Sequence, residues 1–66
     1  MMRETDPILQ PIEQYLARSG LSASAFGRLA VGDPRFVFDL REGRECRRAT
    51  RDRVRAWLRR FPPRTG

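Results

Sequence analysis

Arginine is the residue type in this sequence whose chemistry and position are most informative. All fourteen basic residues are arginine, and lysine is absent. The guanidinium group presents parallel N–H donors, so it can bind a phosphate or the edge of a guanine through two hydrogen bonds and can stack on a base. A GC-rich genome would also favour arginine codons over lysine codons, so composition alone leaves both explanations open.

The arginines are unevenly distributed along the chain. Residues 41–66 contain ten arginines and three acidic residues, a net charge of +7, whereas residues 1–40 contain four arginines and five acidic residues, a net charge of −1. Codon usage does not explain this segregation. A strongly basic segment is typical of proteins that contact a polyanion, and nucleic acid is the polyanion that suits arginine best.

Most residues needed for catalysis or metal binding are missing. The chain has no histidine, no glycine-rich phosphate loop and no visible nucleophile–base pair. The lone cysteine, Cys46, excludes an internal disulfide, and without histidine the usual Cys/His zinc site is excluded too. Arg47 and Arg48 could lower the pKa of the Cys46 thiol, although an incidental thiol is the commoner case. We therefore expect no enzyme activity, no cofactor and no metal site.

Sixty-six residues allow one small domain. A chain of this length buries only about 60% of the surface that it exposes when unfolded, which leaves little room for an enclosed substrate cavity. The polar start of the chain does not resemble a secretory signal, and no apolar run reaches the length of a membrane span. We expect one domain over 1–61, a flexible tail over 62–66, no membrane partner, and a cytoplasmic, nucleoid-associated location.

Capping and breaking residues divide the chain into four predicted helices. Their approximate ranges are 7–19, 22–30, 33–42 and 50–61. The residues that favour helix starts are Asp6–Pro7, Ser22, Asp33–Pro34 and Thr50. The residues that favour helix ends are Gly20, Gly32 and Gly43. The predicted fold class is all-α, a compact four-helix domain with a central helix-turn-helix, in which Trp57 is expected to anchor the core.

The two middle helices follow a helix-turn-helix pattern. They are short and are joined by about three residues, and in DNA-binding proteins the second helix of such a pair enters the major groove. The pair needs a small residue where the two axes cross, and Gly27 occupies that position. Because glycine costs about 1 kcal/mol relative to alanine inside a helix, its presence favours a packing role over mere tolerance.

The stretch 21–44 resembles the core of the Cro/C1-type (XRE-like) helix-turn-helix regulators, without a gap. The matching positions are Leu21–Ser22 at the entry to helix two, Phe26–Gly27 as the apolar–small pair, Val37 and Leu40 as the buried positions of the recognition helix, and Gly43–Arg44 as its exit. The resemblance covers about 24 of the 66 residues. It implies that the helix over 33–42 is the recognition helix and that the protein binds double-stranded DNA.

The sequence departs from the family pattern at two places. Val31–Gly32 reverses the usual glycine–valine order in the turn. Only one further helix follows the pair, where the family commonly has two. The first and last helices must therefore close the core alone, or a partner subunit must help.

The resemblance implies that bases are read from the start of the recognition helix, by Arg35, Phe36 and Asp39. Arg35 can bond to O6 and N7 of guanine, Asp39 can accept from N4 of cytosine, and Phe36 can contact a thymine methyl. Other interpretations stay open. Arg35 and Asp39 could form an i,i+4 ion pair, and Phe36 could pack in the core. Phe38 could pack under the fourth helix or form a dimer contact.

Phosphate contacts are expected from the start of helix two and from the arginines near the recognition helix. Ser22 and Ser24 present hydroxyls and free backbone N–H groups there. The arginines assigned to phosphates are Arg28, Arg41, Arg44, Arg47 and Arg48. Any one of these alone could be a solvated surface residue.

Three functions compete at this level. The leading one is a sequence-specific transcriptional regulator, repressor-like, that binds a pseudo-palindromic site as a homodimer. The second is a protein-interaction module on the same scaffold, such as an antitoxin or an adaptor, with a protein partner. The third is non-specific coating of nucleic acid by the arginine-rich half.

Overall fold

Four α-helices make up the regular structure of residues 6–63, the part of the chain that the computed structural model describes. The helices are α1 (Leu9–Ser19), α2 (Ala23–Val31), α3 (Phe36–Arg41) and α4 (Arg48–Arg60). No strand occurs in these residues, so the predicted all-α, four-helix class is confirmed. None of the helices described has the length and apolar character needed to cross a bilayer.

The ends of α1 and α2 follow local backbone chemistry, as expected. The Ser22 hydroxyl accepts the N–H of Ala25 at 3.1 Å and caps the start of α2. Gly20 and Gly32 follow the last residues of α1 and α2 with φ of +76° and +73°, a left-handed conformation that glycine adopts without steric cost. These two glycines therefore end the helices where the sequence predicts.

The predicted starts of three helices are wrong by two or three residues. Asp6 and Asp33 do not cap helices directly, because each accepts the N–H two residues ahead, from Ile8 and Arg35, and so closes a turn before the helix begins. As a result α1 begins at Leu9 and α3 only at Phe36. The fourth helix begins earlier than expected, at Arg48, and Thr50 lies inside its first turn.

The core is built around Phe26 rather than Trp57. Phe26 is the largest fully buried side chain, whereas Trp57 is half-buried and packs against it edge-on, with ring centroids 5.1 Å apart. Tyr15 contacts both rings, at 5.7 Å and 5.4 Å. The other buried apolar residues are Ile8, Leu9, Ile12, Ala30, Phe36, Val37, Leu40 and Val54. Trp57 therefore closes the edge of the core instead of filling its centre.

The predicted tail lies partly outside the described residues, which end at position 63. Pro62 is exposed, and Pro63 is half-buried beside Tyr15 and Leu58, where it lines a shallow groove. The first two residues of the predicted tail thus continue along the surface of the helices.

Gly27 marks the closest approach between α2 and the turn that leads to α3. A Cβ added at this position would collide with the carbonyl oxygen of Asp33 and would lie 3.3 Å from Cβ of Phe36. The backbone N–H of Asp33 also donates to the Gly27 carbonyl at 3.0 Å. The glycine expected at the helix crossing is therefore required by packing.

We predict that Gly27→Ala destabilises the fold by about 1–3 kcal/mol, because the added methyl meets a backbone oxygen that cannot move independently. Helix propensity alone predicts the opposite sign, a gain of up to about 1 kcal/mol. Urea unfolding followed by circular dichroism gives the free energy of unfolding. Ser24→Ala, on the same helix, is the control, and a stabilised Gly27→Ala variant would refute the packing account.

Candidate nucleic-acid interface

Helix α3 has one buried and one exposed face. Its buried residues are Phe36, Val37 and Leu40. Its solvent face continues from the residue before the helix to the residue after it. The members of that face are Arg35, Phe38, Asp39 and Glu42, which follow one another at helical spacing i, i+3, i+4, i+7. This face is the surface that α3 can present to a groove of DNA.

Phe36 does not belong to the exposed face, so the expectation that it reads bases needs correction. Its side chain is only 7% exposed and lies in the core. Phe38 is the exposed aromatic residue instead, at 44%. The sequence contained the signal, because Phe36 is four residues from Leu40 and therefore shares its helix face. Phe38 is two residues further round and points away from that face.

Arg35 is the exposed cation at the start of α3. The Asp33 carboxylate accepts the backbone N–H of Arg35 at 2.9 Å and leaves its guanidinium group free. Within residues 6–63 the structure shows no ion pair for Arg35. The alternative of an i,i+4 pair with Asp39 is thus not seen. Asp39 lies nearer to Arg44, with 3.8 Å between carboxylate and guanidinium.

Arg41 is engaged within the protein, which removes it from the predicted phosphate-binding set. Its Nε and Nη2 atoms donate to the Glu13 carboxylate on α1 at 2.7 Å and 2.8 Å. These bonds from Arg41 are the main reason that the pKa of Glu13 lies below its usual value. The guanidinium also lies 5.6 Å from the centre of the Phe38 ring. Arg41 therefore pairs α3 with α1, in an ion pair that is about two-fifths exposed.

The other predicted phosphate ligands keep exposed or half-buried positions. Ser22 is exposed, and its oxygen is occupied as the cap of α2, while Ser24 is half-buried in the first turn. Arg28 is exposed on the same helix. The arginines that follow α3 are exposed as well; they are Arg44, Arg47 and Arg48.

The segment 44–47, which we call the arginine loop, lies beside the turn between α2 and α3. An open groove of about 410 Å³ separates them, and its lining includes Asp33, Phe36 and Arg47. The N–H of Arg44 donates to the carbonyl of Asp39 at 3.1 Å. The loop thus leaves α3 and passes close to the point where α3 begins, which brings Arg47 towards the turn that carries Arg35.

A buried carboxylate holds the arginine loop in place. Asp6 is 2% exposed and accepts hydrogen bonds from Nε and Nη2 of Arg51 at 3.1 Å and 2.9 Å. It also accepts the N–H of Cys46 at 3.1 Å and that of Ile8 at 3.0 Å. Arg51 in turn donates to the Cys46 carbonyl at 3.2 Å. We call these four residues the Asp6 clamp; it joins the N-terminal segment, the loop and α4.

The surroundings of the clamp shift the pKa values of its two acidic groups, the Asp6 carboxyl and the Cys46 thiol, in opposite directions. The hydrogen bonds from Arg51 lower the pKa of the Asp6 carboxyl far below its usual value, although burial alone would raise it. Burial raises the pKa of the Cys46 thiol, and the neighbouring Asp6 carboxylate raises it further. The Cys46 thiol therefore has a raised pKa, not the lowered pKa that its neighbouring arginines suggested.

We predict that Asp6→Asn lowers the free energy of unfolding at pH 7 by about 3 kcal/mol, because it leaves Arg51 without its charged partner in a largely buried site. Glu13→Gln is the control, since it breaks an ion pair that is about two-fifths exposed, and such surface pairs contribute less than about 1 kcal/mol. Urea unfolding measures the free energy of unfolding of both variants. Equal losses in the two variants would contradict the central place of the clamp.

The same substitution should change how stability depends on pH. Because the pKa of Asp6 is lowered in the folded chain, its contribution is complete above the unfolded pKa of about 3.9 and declines as the pH falls towards the folded value. The difference between the wild-type chain and Asp6→Asn should therefore narrow between pH 5 and about pH 2. A difference that stays constant over this range would show that the carboxylate charge is not what stabilises the clamp.

The comparisons with known proteins place no constraint on this site. No protein-family model matches the chain, and neither do any of the curated proteins or solved structures to which it was compared. The case for a function rests on the geometry of the exposed α3 face, the arginine loop and the clamp.

Proposed function

We propose that this protein is a sequence-specific DNA-binding transcriptional regulator, repressor-like and related to the Cro/C1-type helix-turn-helix proteins that stretch 21–44 resembles. One observation carries the proposal. Helix α3 is packed against α2 through Gly27, and its exposed face begins with Arg35, a guanidinium group without an ion pair in the described residues. A short anchored helix with a free arginine at its start matches the geometry of major-groove reading.

Base reading is assigned to Arg35 and Asp39, with Phe38 in place of Phe36. Arg35 and Asp39 are one helical turn apart on the exposed face, so they can contact neighbouring base pairs. Arginine pairs with guanine and aspartate with the amino group of cytosine. Phe38 is exposed on the same face and offers an apolar surface to a thymine methyl group.

Phosphate binding is assigned to residues on both sides of the exposed α3 face, at the start of α2 and in the arginine loop. On the first side, Ser22 and Ser24 stand at the start of α2, where the first-turn N–H groups other than that of Ala25 are open to an anion. On the other side, the arginine loop supplies cations that the clamp positions. The full proposed set is Ser22, Ser24, Arg28, Arg44, Arg47 and Arg48. These contacts supply affinity and orientation, and the α3 face supplies specificity.

The proposed operator complex contains two copies of the chain. Two-fold symmetric dimers of helix-turn-helix proteins bind half-sites one helical turn apart, about 34–36 Å. Each copy carries a net charge of +6, so two free copies repel each other, whereas DNA phosphates neutralise that charge. We therefore expect a monomer in the absence of DNA and two copies on a pseudo-palindromic duplex, which sedimentation velocity can measure.

Selection of binding sites from random duplex DNA tests the proposal directly. We expect enrichment of a motif in which two half-sites, each with a guanine read by Arg35, are related by a two-fold axis. Retention of DNA without an enriched motif would support non-specific coating of nucleic acid instead. Absence of any retention at low salt would refute DNA binding.

Arg35→Ala should remove the preference for one base pair in each half-site, at a cost of about 1–3 kcal/mol for the selected sequence and little for others. Arg18→Ala is the matched control, because Arg18 is an exposed arginine on α1 outside the proposed interface. Fluorescence anisotropy with the selected duplex and its single-base variants measures the effect. Equal losses in both variants would mean that only the total charge matters.

Arg44→Ala should weaken binding to all duplexes alike. The slope of log K against log salt is negative, and loss of one phosphate contact makes it shallower by about 0.9. Titrations of the selected and an unrelated duplex at several salt concentrations measure that slope. Should Arg44→Ala change the preferred sequence and leave the slope unaltered, its assignment to phosphate would be wrong.

A further inference from the structure

An apolar groove lies between α2 and the end of α4 and includes none of the residues assigned to DNA. Leu29 is 60% exposed on one side of it, and Phe61 is 46% exposed at its end. Trp57 forms the floor between them and contacts the Phe61 ring, with centroids 5.1 Å apart. The volume of the groove is about 220 Å³. A patch of exposed apolar side chains that line one groove is a feature of contact surfaces.

The charge around this groove has one sign. Its lining contains two arginines, Arg53 and Arg60, and no acidic residue. Neither arginine has an ion pair among residues 6–63, and the guanidinium of Arg60 lies 5.4 Å from the centre of the Phe61 ring. A ligand that fills the groove must therefore supply apolar groups to Leu29, Trp57 and Phe61 and carboxylates to the two arginines.

We propose that this groove is a docking site for an acidic amphipathic helix of a partner protein. A groove between two helices accepts a third helix through apolar side chains at i, i+3, i+4 and i+7. Carboxylates on the flanks of such a helix reach Arg53 and Arg60 and add specificity and association rate. The inference does not depend on DNA binding.

The lining of the groove disfavours two other occupants, a second copy of the chain and a DNA backbone. A second copy in the same groove would bring four arginines together, two from each copy. A DNA backbone would supply phosphates to the arginines but no apolar group to cover Leu29 and Phe61. An acidic amphipathic helix supplies both the apolar groups for Leu29 and Phe61 and the carboxylates for the arginines.

The test uses the full chain and a fluorescein-labelled acidic peptide of about four helical turns, with leucines on one face and glutamates on the other. A peptide of identical composition, scrambled so that the leucines do not share a face, is the control for charge. Fluorescence anisotropy at physiological salt should show at least tenfold tighter binding of the amphipathic peptide. Equal binding of the two peptides would overturn the proposal.

Variants of the protein locate the binding site. Leu29→Ser and Phe61→Ser should each weaken binding of the amphipathic peptide at least fivefold, and Arg60→Ala should weaken it more than Arg18→Ala does. Circular dichroism checks that each variant is folded, and DNA affinity should stay unchanged in the two serine variants. Unchanged peptide binding in both serine variants would overturn the proposal, whatever the result for DNA.

Sedimentation velocity distinguishes a second copy from a partner. The wild-type chain alone should be monomeric, and the peptide should bind one to one. A concentration-dependent dimer that Phe61→Ser dissociates would show that the groove is occupied by another copy of the chain. This result would overturn the proposal and the expectation of a free monomer, while leaving the assignment of the α3 face to DNA intact.

Discussion

The buried Asp6 carboxylate connects the N-terminal segment, the arginine loop and α4. Its hydrogen bonds from Arg51 and Cys46 bridge 45 and 40 residues of sequence. A buried charge is costly unless charge and hydrogen bonds compensate it, and here both carboxylate oxygens are engaged. If the carboxylate is protonated or replaced, the arginine loop loses the acceptor that holds it, and the N-terminal segment is held by apolar packing in the core alone.

Ion pairs divide the arginines into groups with different roles. Arg51 and Arg41 pair with Asp6 and Glu13 and hold the helices together. The arginines of the loop are exposed; Arg44 lies 3.8 Å from the Asp39 carboxylate, and Arg47 has no ion pair within residues 6–63. Net charge alone does not reveal this division, because a paired and a solvated arginine contribute equally to it. In this small domain the acidic residues determine which arginines are available.

Several features set by neighbours in the sequence were predictable, although three helix starts were not, and features set by distant contacts were not. The Ser22 cap, the glycine ends and the close approach at Gly27 follow from local chemistry and were anticipated. The partner of Asp6 was not, because any of fourteen arginines could pair with it until the fold brings one near. Exposure of Phe38 rather than Phe36 was partly predictable, since the spacing to the buried Leu40 identifies which of the two faces inward.

The central claim is that DNA contacts the exposed α3 face and the arginine loop. Titration of the isotope-labelled chain with its selected duplex, followed by amide chemical shifts in NMR spectra, tests it residue by residue. The account predicts that the largest changes fall at 22–24, 35–39 and 44–48, while the amides of Leu29 and Phe61 in the apolar groove change little. Changes confined to α4, or spread evenly over all exposed arginines, would contradict it.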